Sequence, residues 1–153
     1  MKAKTDYILF PECKLVVELY QGSIYVDDIL QLKLRSAQDK NYQPDFSVIM
    51  DFRPATIVGG SIEVNEYVTK LKQLPTILGE RYVSVLTSKP NEVVVATLFE
   101  LFNRELPIVS KIFSTQDAAI NWLSNVNSGI INCYKNLDKL QEILTKQAHL
   151  ATE

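Results

Sequence analysis

The stretch Phe46-Ser47-Val48-Ile49-Met50-Asp51-Phe52-Arg53 decides the fold. Phe46, Val48, Ile49, Met50 and Phe52 make a nearly continuous apolar run. A strand apolar on both faces belongs in the middle of a sheet, with helices covering each side. Upstream, Tyr7 to Phe10 and Leu15 to Tyr20 are apolar segments joined by Pro11, Glu12, Cys13 and Lys14, a short polar connection suited to a hairpin. After Gly22 the period changes: Val26, Ile29, Leu30, Leu34 and Ala37 recur at threes and fours. Asp27 and Asp28 lie in the first turn and Lys33 and Arg35 follow, the order that a helix dipole favours. The polar stretch from Asp39 to Asp45, with Pro44 inside it, ends that helix.

Downstream of Arg53 the loop from Pro54 to Gly60 leads to Ser61, read as the N-cap of a helix carrying Val64, Tyr67, Val68 and Leu71. Pro75 cannot continue that helix. A third strand is expected over Tyr82 to Leu86, then a helix with Pro90 early in it and Val94, Thr97, Leu98, Leu101 and Phe102 on its buried face. Ile108, Val109, Ile112 and Phe113 mark a fourth core segment. Ser114 and Asp117 read as a capping box for a helix carrying Ala119, Ile120, Trp122, Leu123 and Val126. Strands alternating with helices define an α/β fold with a four- to five-stranded, mostly parallel sheet whose antiparallel edge is the N-terminal hairpin. Residues 1–127 form the expected domain. Residues 128–147 hold a further helix whose Ile130, Cys133, Leu137, Leu140 and Leu144 either pack on that domain or serve a homodimer through residues 130–144. Residues 148–153 read as a frayed tail.

Composition bounds the function classes. The chain has 153 residues, 46% of them hydrophobic and 22% charged, which is ordinary globular composition for one domain. Sixteen basic and 18 acidic residues leave a formal charge of −2, with no basic block to suggest a nucleic-acid footprint. No stretch approaches the ~18–20 apolar residues of a membrane span. Cys13 and Cys133 stand far apart without metal-ligand spacing, so they read as free buried thiols, and a reducing cytoplasm is the default location. Neither a cofactor nor a metal is expected.

The catalytic motifs are sparse. His149 is the only histidine and lies in the expected tail. The sequence has no Gly-x-Ser-x-Gly elbow, no Gly-x-Gly-x-x-Gly after a strand and no Walker loop. Attention therefore falls on the carboxyl ends of the parallel strands, where open α/β sheets place ligands. Asp51 and Arg53 close the central strand on the same face, either paired with each other or holding a polar ligand between them. Ser61, Ser88 and Ser114 precede helices, where capping or anion binding are the two uses. The loop carrying Thr56, Ile57, Val58, Gly59 and Gly60 places an apolar pair between a strand and a helix. That pair either packs on the first helix or forms a partner or ligand surface, and the glycines allow close backbone approach.

Leu15 to Gly22, Val48 to Arg53 and Gly59 to Leu71, in this order of elements, resemble the STAS-like domains of bacterial anti-sigma-factor antagonists, over roughly Tyr7 to Asn125. Asp51 followed ten residues later by Ser61 matches the family's strand-end acid and helix-starting serine. The family's serine lies in Asp-Ser-Ser-Gly and accepts phosphate from a partner kinase, whereas this chain reads Val58, Gly59, Gly60, Ser61, like the divergent, uncharacterised branch. The resemblance implies a non-catalytic regulatory module acting through protein contact. Ser61 or Thr56 would be its phosphoacceptor, and Asp51, Arg53, Ile57, Val58, Gly59, Gly60 and Tyr67 its contact residues. The alternative is a carrier or sensor of a small apolar or lipid-like ligand beside Tyr67, Phe99 and Phe102, with Arg53 on the head group. An enzyme would need an acid or base that only Asp51 or a Glu could supply.

Overall fold

The computed structural model describes residues 2–74, 79–89, 97, 100, 101, 104–131 and 133–152. Strand β1 (Lys4–Phe10) runs through a 3-10 turn at Pro11–Cys13 into β2 (Leu15–Tyr25), its antiparallel partner. Helix α1 (Val26–Ala37), β3 (Ser47–Asp51), β4 (Ala55–Val58), α2 (Ser61–Lys72), β5 (Arg81–Leu86) and β6 (Ile108–Phe113) follow. Thr97, Glu100, Leu101, Arg104 and Glu105 are helical, and the chain closes with α3 (Gln116–Val126), the short α4 (Ser128–Ile131) and α5 (Tyr134–Ala151). The sheet order is β1-β2-β3-β5-β6, parallel from β2 onward. The protein is therefore an α/β domain with a mixed sheet, antiparallel only at its N-terminal hairpin.

Two strands differ from the expected sheet. The sequence places the second apolar segment at Leu15 to Tyr20, and the φ of 80° at Gly22 lets β2 bend and continue to Tyr25. The residues read as a loop, Ala55 to Val58, pair in parallel with that continuation, Gly22 opposite Ala55 and Tyr25 opposite Val58. The sheet accordingly has six strands. A loop that needs somewhere to put its backbone hydrogen bonds has found an open edge.

Alternation along the strands divides the core in two. Val16, Tyr20, Val48, Met50, Val83 and Val85 face α1 and α2 in one cluster. Leu15, Val17, Ile49 and Leu86 face α3 and α5 in the other, with Ala119, Leu123, Leu140 and Leu144 packed on them. Tyr20 and Phe52 stack at 4.3 Å between ring centres, closing the first cluster near the carboxyl ends of the strands. Pro75, Pro90, Val94, Leu98, Phe99 and Phe102 lie outside the described residues. Leu101 is buried, whereas Val109 is 53% exposed because it sits on the outward side of the edge strand β6.

Several local expectations need correction. Cys13 and Cys133 are not free: they form a disulfide with Cα atoms 5.3 Å apart, tying the β1–β2 turn to the residue that precedes α5. Their 120-residue separation gives no hint of pairing in the sequence. The N-cap of α2 is Gly60, not Ser61, because the Glu63 carboxylate accepts the Gly60 N–H at 2.9 Å. The N-cap of α3 is Thr115, whose hydroxyl accepts the Ala118 N–H, one residue later than expected. Residues 148–151, expected in the tail, continue α5, which carries His149 in its last turn.

Candidate functional site

The residues singled out in the sequence fall on opposite sides of the sheet. Asp51 belongs to the side covered by α3 and α5. Its carboxylate is wholly buried and accepts from Arg53 Nη2 at 2.7 Å, Arg53 Nε at 3.0 Å and the Arg53 backbone N–H at 3.0 Å. Arg53 Nη1 donates to Gln116 at 3.3 Å, and Nη2 also donates to the Leu144 carbonyl at 2.8 Å. Each of its three nitrogens thus has a protein acceptor. The pair fastens α3 and α5 to the strand ends, helped by Gln116 donating to Gln141 and Gln147 donating to the Tyr20 carbonyl.

Ile57, Val58, Gly59, Gly60, Ser61 and Tyr67 lie on the other side, where β2 and β4 end and α2 begins. The apolar pair splits: Ile57 is buried in the first core cluster, and Val58 is 37% exposed. Gly59, at φ 142°, would bring a β-carbon within 3.1 Å of the Val26 side chain, so it serves a close approach to α1. Ile62 (71% exposed) lines a cleft on α2 that shares Glu66 and Lys70 with a neighbouring cleft of about 250 Å³, whose exposed apolar residues are Tyr25 (58% exposed) and Val58. Tyr25, Val58, Gly59 and Tyr67 line this neighbouring cleft, together with Asp27, Glu63, Glu66 and Lys70. Ser61 is exposed in the first turn of α2 and Thr56 is exposed on β4, both open to modification. A phosphate on Ser61 would gain from the helix N-terminus and meet the nearby Glu63 carboxylate.

A further polar group, inside the first cluster, was not singled out. Glu18 and Lys33 are each 2% exposed, and both Glu18 oxygens accept from Lys33 Nζ at 3.0 Å. The Tyr20 hydroxyl donates to the same carboxylate at 2.7 Å. Arg81, also buried, donates from Nη1 to the Tyr42 hydroxyl at 3.0 Å. One signal was present in the sequence: Lys33 falls four residues after Ile29 and three after Leu30, on the apolar stripe of α1.

Burial, reinforced by the Glu18 charge, pushes the Tyr20 and Tyr67 phenols well above their ordinary value of 10.0. Burial holds the Lys33 ammonium below 10.5 although Glu18 raises it. Above pH ~10 the unfolded chain loses phenolic protons that the folded chain keeps, so each such phenol removes about 1.4 kcal/mol of stability per pH unit. Lys33 acts oppositely only until about pH 10.5, where the unfolded amine has also lost its proton. We expect an unfolding midpoint in urea that falls steeply from pH 10 to 12, together with tyrosinate absorbance that rises with unfolding; a flat midpoint would contradict the burial of these phenols.

Among the described residues no helix is long and apolar enough to cross a membrane, and no cluster of His, Cys, Asp and Glu could hold a metal ion. No protein-family model and no curated protein sequence matches the chain.

Proposed function

We propose that this chain is a non-catalytic, STAS-like interaction module that regulates through protein contact, docking its partner on the rim formed by Tyr25, Val58 and Ile62. The observation that supports the reading is that exposed Tyr25 and Val58 line one cleft at the carboxyl ends of β2 and β4, and exposed Ile62 lines a neighbouring cleft that shares Glu66 and Lys70 with it. Exposed apolar groups gathered on one surface and bordered by polar ones mark interaction sites. Among the charged residues lining the first cleft, Asp27, Glu63 and Glu66 outnumber Lys70, so the complementary partner presents an apolar anchor flanked by basic side chains. Ser61, at the edge of this face, is where a phosphate would switch docking by adding charge.

Ile62→Asp is the informative variant, because it changes a side chain 71% exposed and leaves the core alone. Its stability should stay within about 0.5 kcal/mol of wild type. Affinity capture from the native host, quantified against wild type, should lose the partner. Identical capture by both proteins would refute this docking face.

A carrier role with Arg53 on the head group is less well supported, since the nitrogens of Arg53 are engaged by Asp51, Gln116 and Leu144. A cytoplasmic location is the proposal that composition carries. The Cys13–Cys133 bond argues against it, because oxidising compartments keep such bonds and a reducing cytoplasm rarely does. Homodimerisation through residues 130–144 would have to use what Ile130, Leu140 and Leu144 leave over, as all three are buried in the second cluster.

A further inference from the structure

Val64, Tyr67, Val68 and Leu71 take the buried side of α2, which leaves Ile62, Asn65, Glu66, Thr69, Lys70 and Gln73 exposed along the other. Ile62, Asn65, Glu66 and Thr69 stand at positions i, i+3, i+4 and i+7, the corners of the hole into which a facing helix inserts a side chain. The same four residues, with Lys70, line the second cleft of this face. Thr69 turns its hydroxyl back to the Asn65 carbonyl at 2.8 Å, which leaves its methyl for contact. A hole with Ile62 and that methyl on its walls and the Glu66 carboxylate beside them suits a side chain that is apolar along its stem and cationic at its tip.

Charge order identifies the source of that side chain. The acid Glu66 comes one turn before the base Lys70 on the same exposed face. Two copies of α2 laid antiparallel about a two-fold axis therefore bring each Lys70 to the Glu66 of the other, and the contact repeats by symmetry. A parallel pairing in register would instead set Glu66 on Glu66 and Lys70 on Lys70. The register is self-consistent as well: Lys70 placed over a hole centred between Asn65 and Glu66 puts the axis beside Tyr67 and Val68, close to the middle of Ser61–Lys72, so the helices overlap along most of their length. Tyr25 and Val58, exposed on the adjoining cleft that shares Glu66 and Lys70, flank this contact.

We propose that α2 is the contact face of a weak, two-fold symmetric homodimer, in which Lys70 of each protomer enters the hole formed by Ile62, Asn65, Glu66 and Thr69 of its partner and pairs there with Glu66. This dimer rests on the docking face proposed above and gives its occupant when no other protein is bound, a second copy that the regulatory partner displaces. One helix and its flanking residues make a small contact beside the ~1,200–2,000 Å² of stable interfaces, so the dimer forms in concentrated protein and dissociates on dilution.

The test is sedimentation equilibrium of the full-length chain, from low micromolar to near-millimolar concentration. Wild type should pass from monomer to dimer and no further, and added salt should weaken the dimer. Lys70→Glu and Glu66→Lys each set like charges in both symmetric contacts and should each weaken association at least tenfold. The double variant Glu66→Lys with Lys70→Glu restores both pairs in reverse and should regain it. All three change exposed side chains, so their melting temperatures should stay close to wild type. A chain that stays monomeric at the highest concentration, single variants that dimerise like wild type, or a double variant as weak as the single ones would each overturn the proposal. Loss of host-partner capture by Ile62→Asp beside a monomeric wild type would overturn the dimer and leave the docking face standing. A dimer with the expected charge response beside unaltered capture by Ile62→Asp would do the reverse.

Discussion

Glu18→Ala is expected to destabilise the protein by about 3–5 kcal/mol, the usual cost of removing one member of a buried ion pair. The carboxylate holds Lys33 Nζ with both oxygens and accepts the Tyr20 hydroxyl, and all of these groups are sealed from water. Without it, Lys33 and Arg81 remain as two buried cations. Lys33 would then shed its proton in the folded state at a still lower pH, while the unfolded chain keeps it until about pH 10.5. Stability of the variant should therefore rise with pH across the window below 10.5, where wild type changes less. The double variant Glu18→Leu with Lys33→Met should recover most of the loss, since apolar replacement of a whole buried pair is often neutral or stabilising. Urea unfolding of the three proteins at two pH values checks both points. Equal stability of Glu18→Ala and wild type would show that the pair is not buried as described.

Loss of the Cys13–Cys133 bond is expected to cost about 2–5 kcal/mol. The bond closes a loop spanning nearly the whole domain, so the unfolded chain gains much freedom when it is absent. It also anchors the chain entering α5, the helix whose Leu144 carbonyl receives Arg53 and whose Gln147 reaches the Tyr20 carbonyl. Cys13→Ser with Cys133→Ser should lower the denaturant midpoint and raise hydrogen exchange first in Tyr134–Ala151, before the sheet is affected. Reductant should reproduce the wild-type part of this difference and leave the double variant unchanged. Thiol counting on protein alkylated at the moment of lysis then reports the compartment directly.

The architecture was largely legible because its signals are local. The run from Phe46 to Phe52 announced a strand covered on both sides, and Val26 to Ala37 carried its helical period and its charge order openly. What escaped was non-local. Ala55 to Val58 becomes a strand only because β2 extends past Gly22 to receive it, and no pattern within those four residues says so. The pairing of two cysteines across the chain is equally invisible.

The candidate site was legible as a list but not as a place. Asp51 and Val58 are seven positions apart, yet the alternation of β3 and the turn after Arg53 send them to opposite sides of the sheet. Asp51 and Arg53 were correctly read as neighbours, and the elements they fasten, α3 and α5, come from the far end of the sequence. Ile62, the most exposed apolar residue of the rim, lies on the polar side of its helix, where periodicity reasoning attends to the buried stripe instead. Glu18 stands inside an apolar strand, and the buried Arg81 reads from sequence as an ordinary strand-edge charge.

The most direct measurement is hydrogen exchange on the chain alone and in complex with the partner that wild-type protein captures from its host. New protection confined to Ala55–Val58 and the first two turns of α2, with the end of β2 at Tyr25, is the predicted result. Protection centred instead on β1, β6 or α5, with the Tyr25, Val58 and Ile62 rim unchanged, would contradict the account.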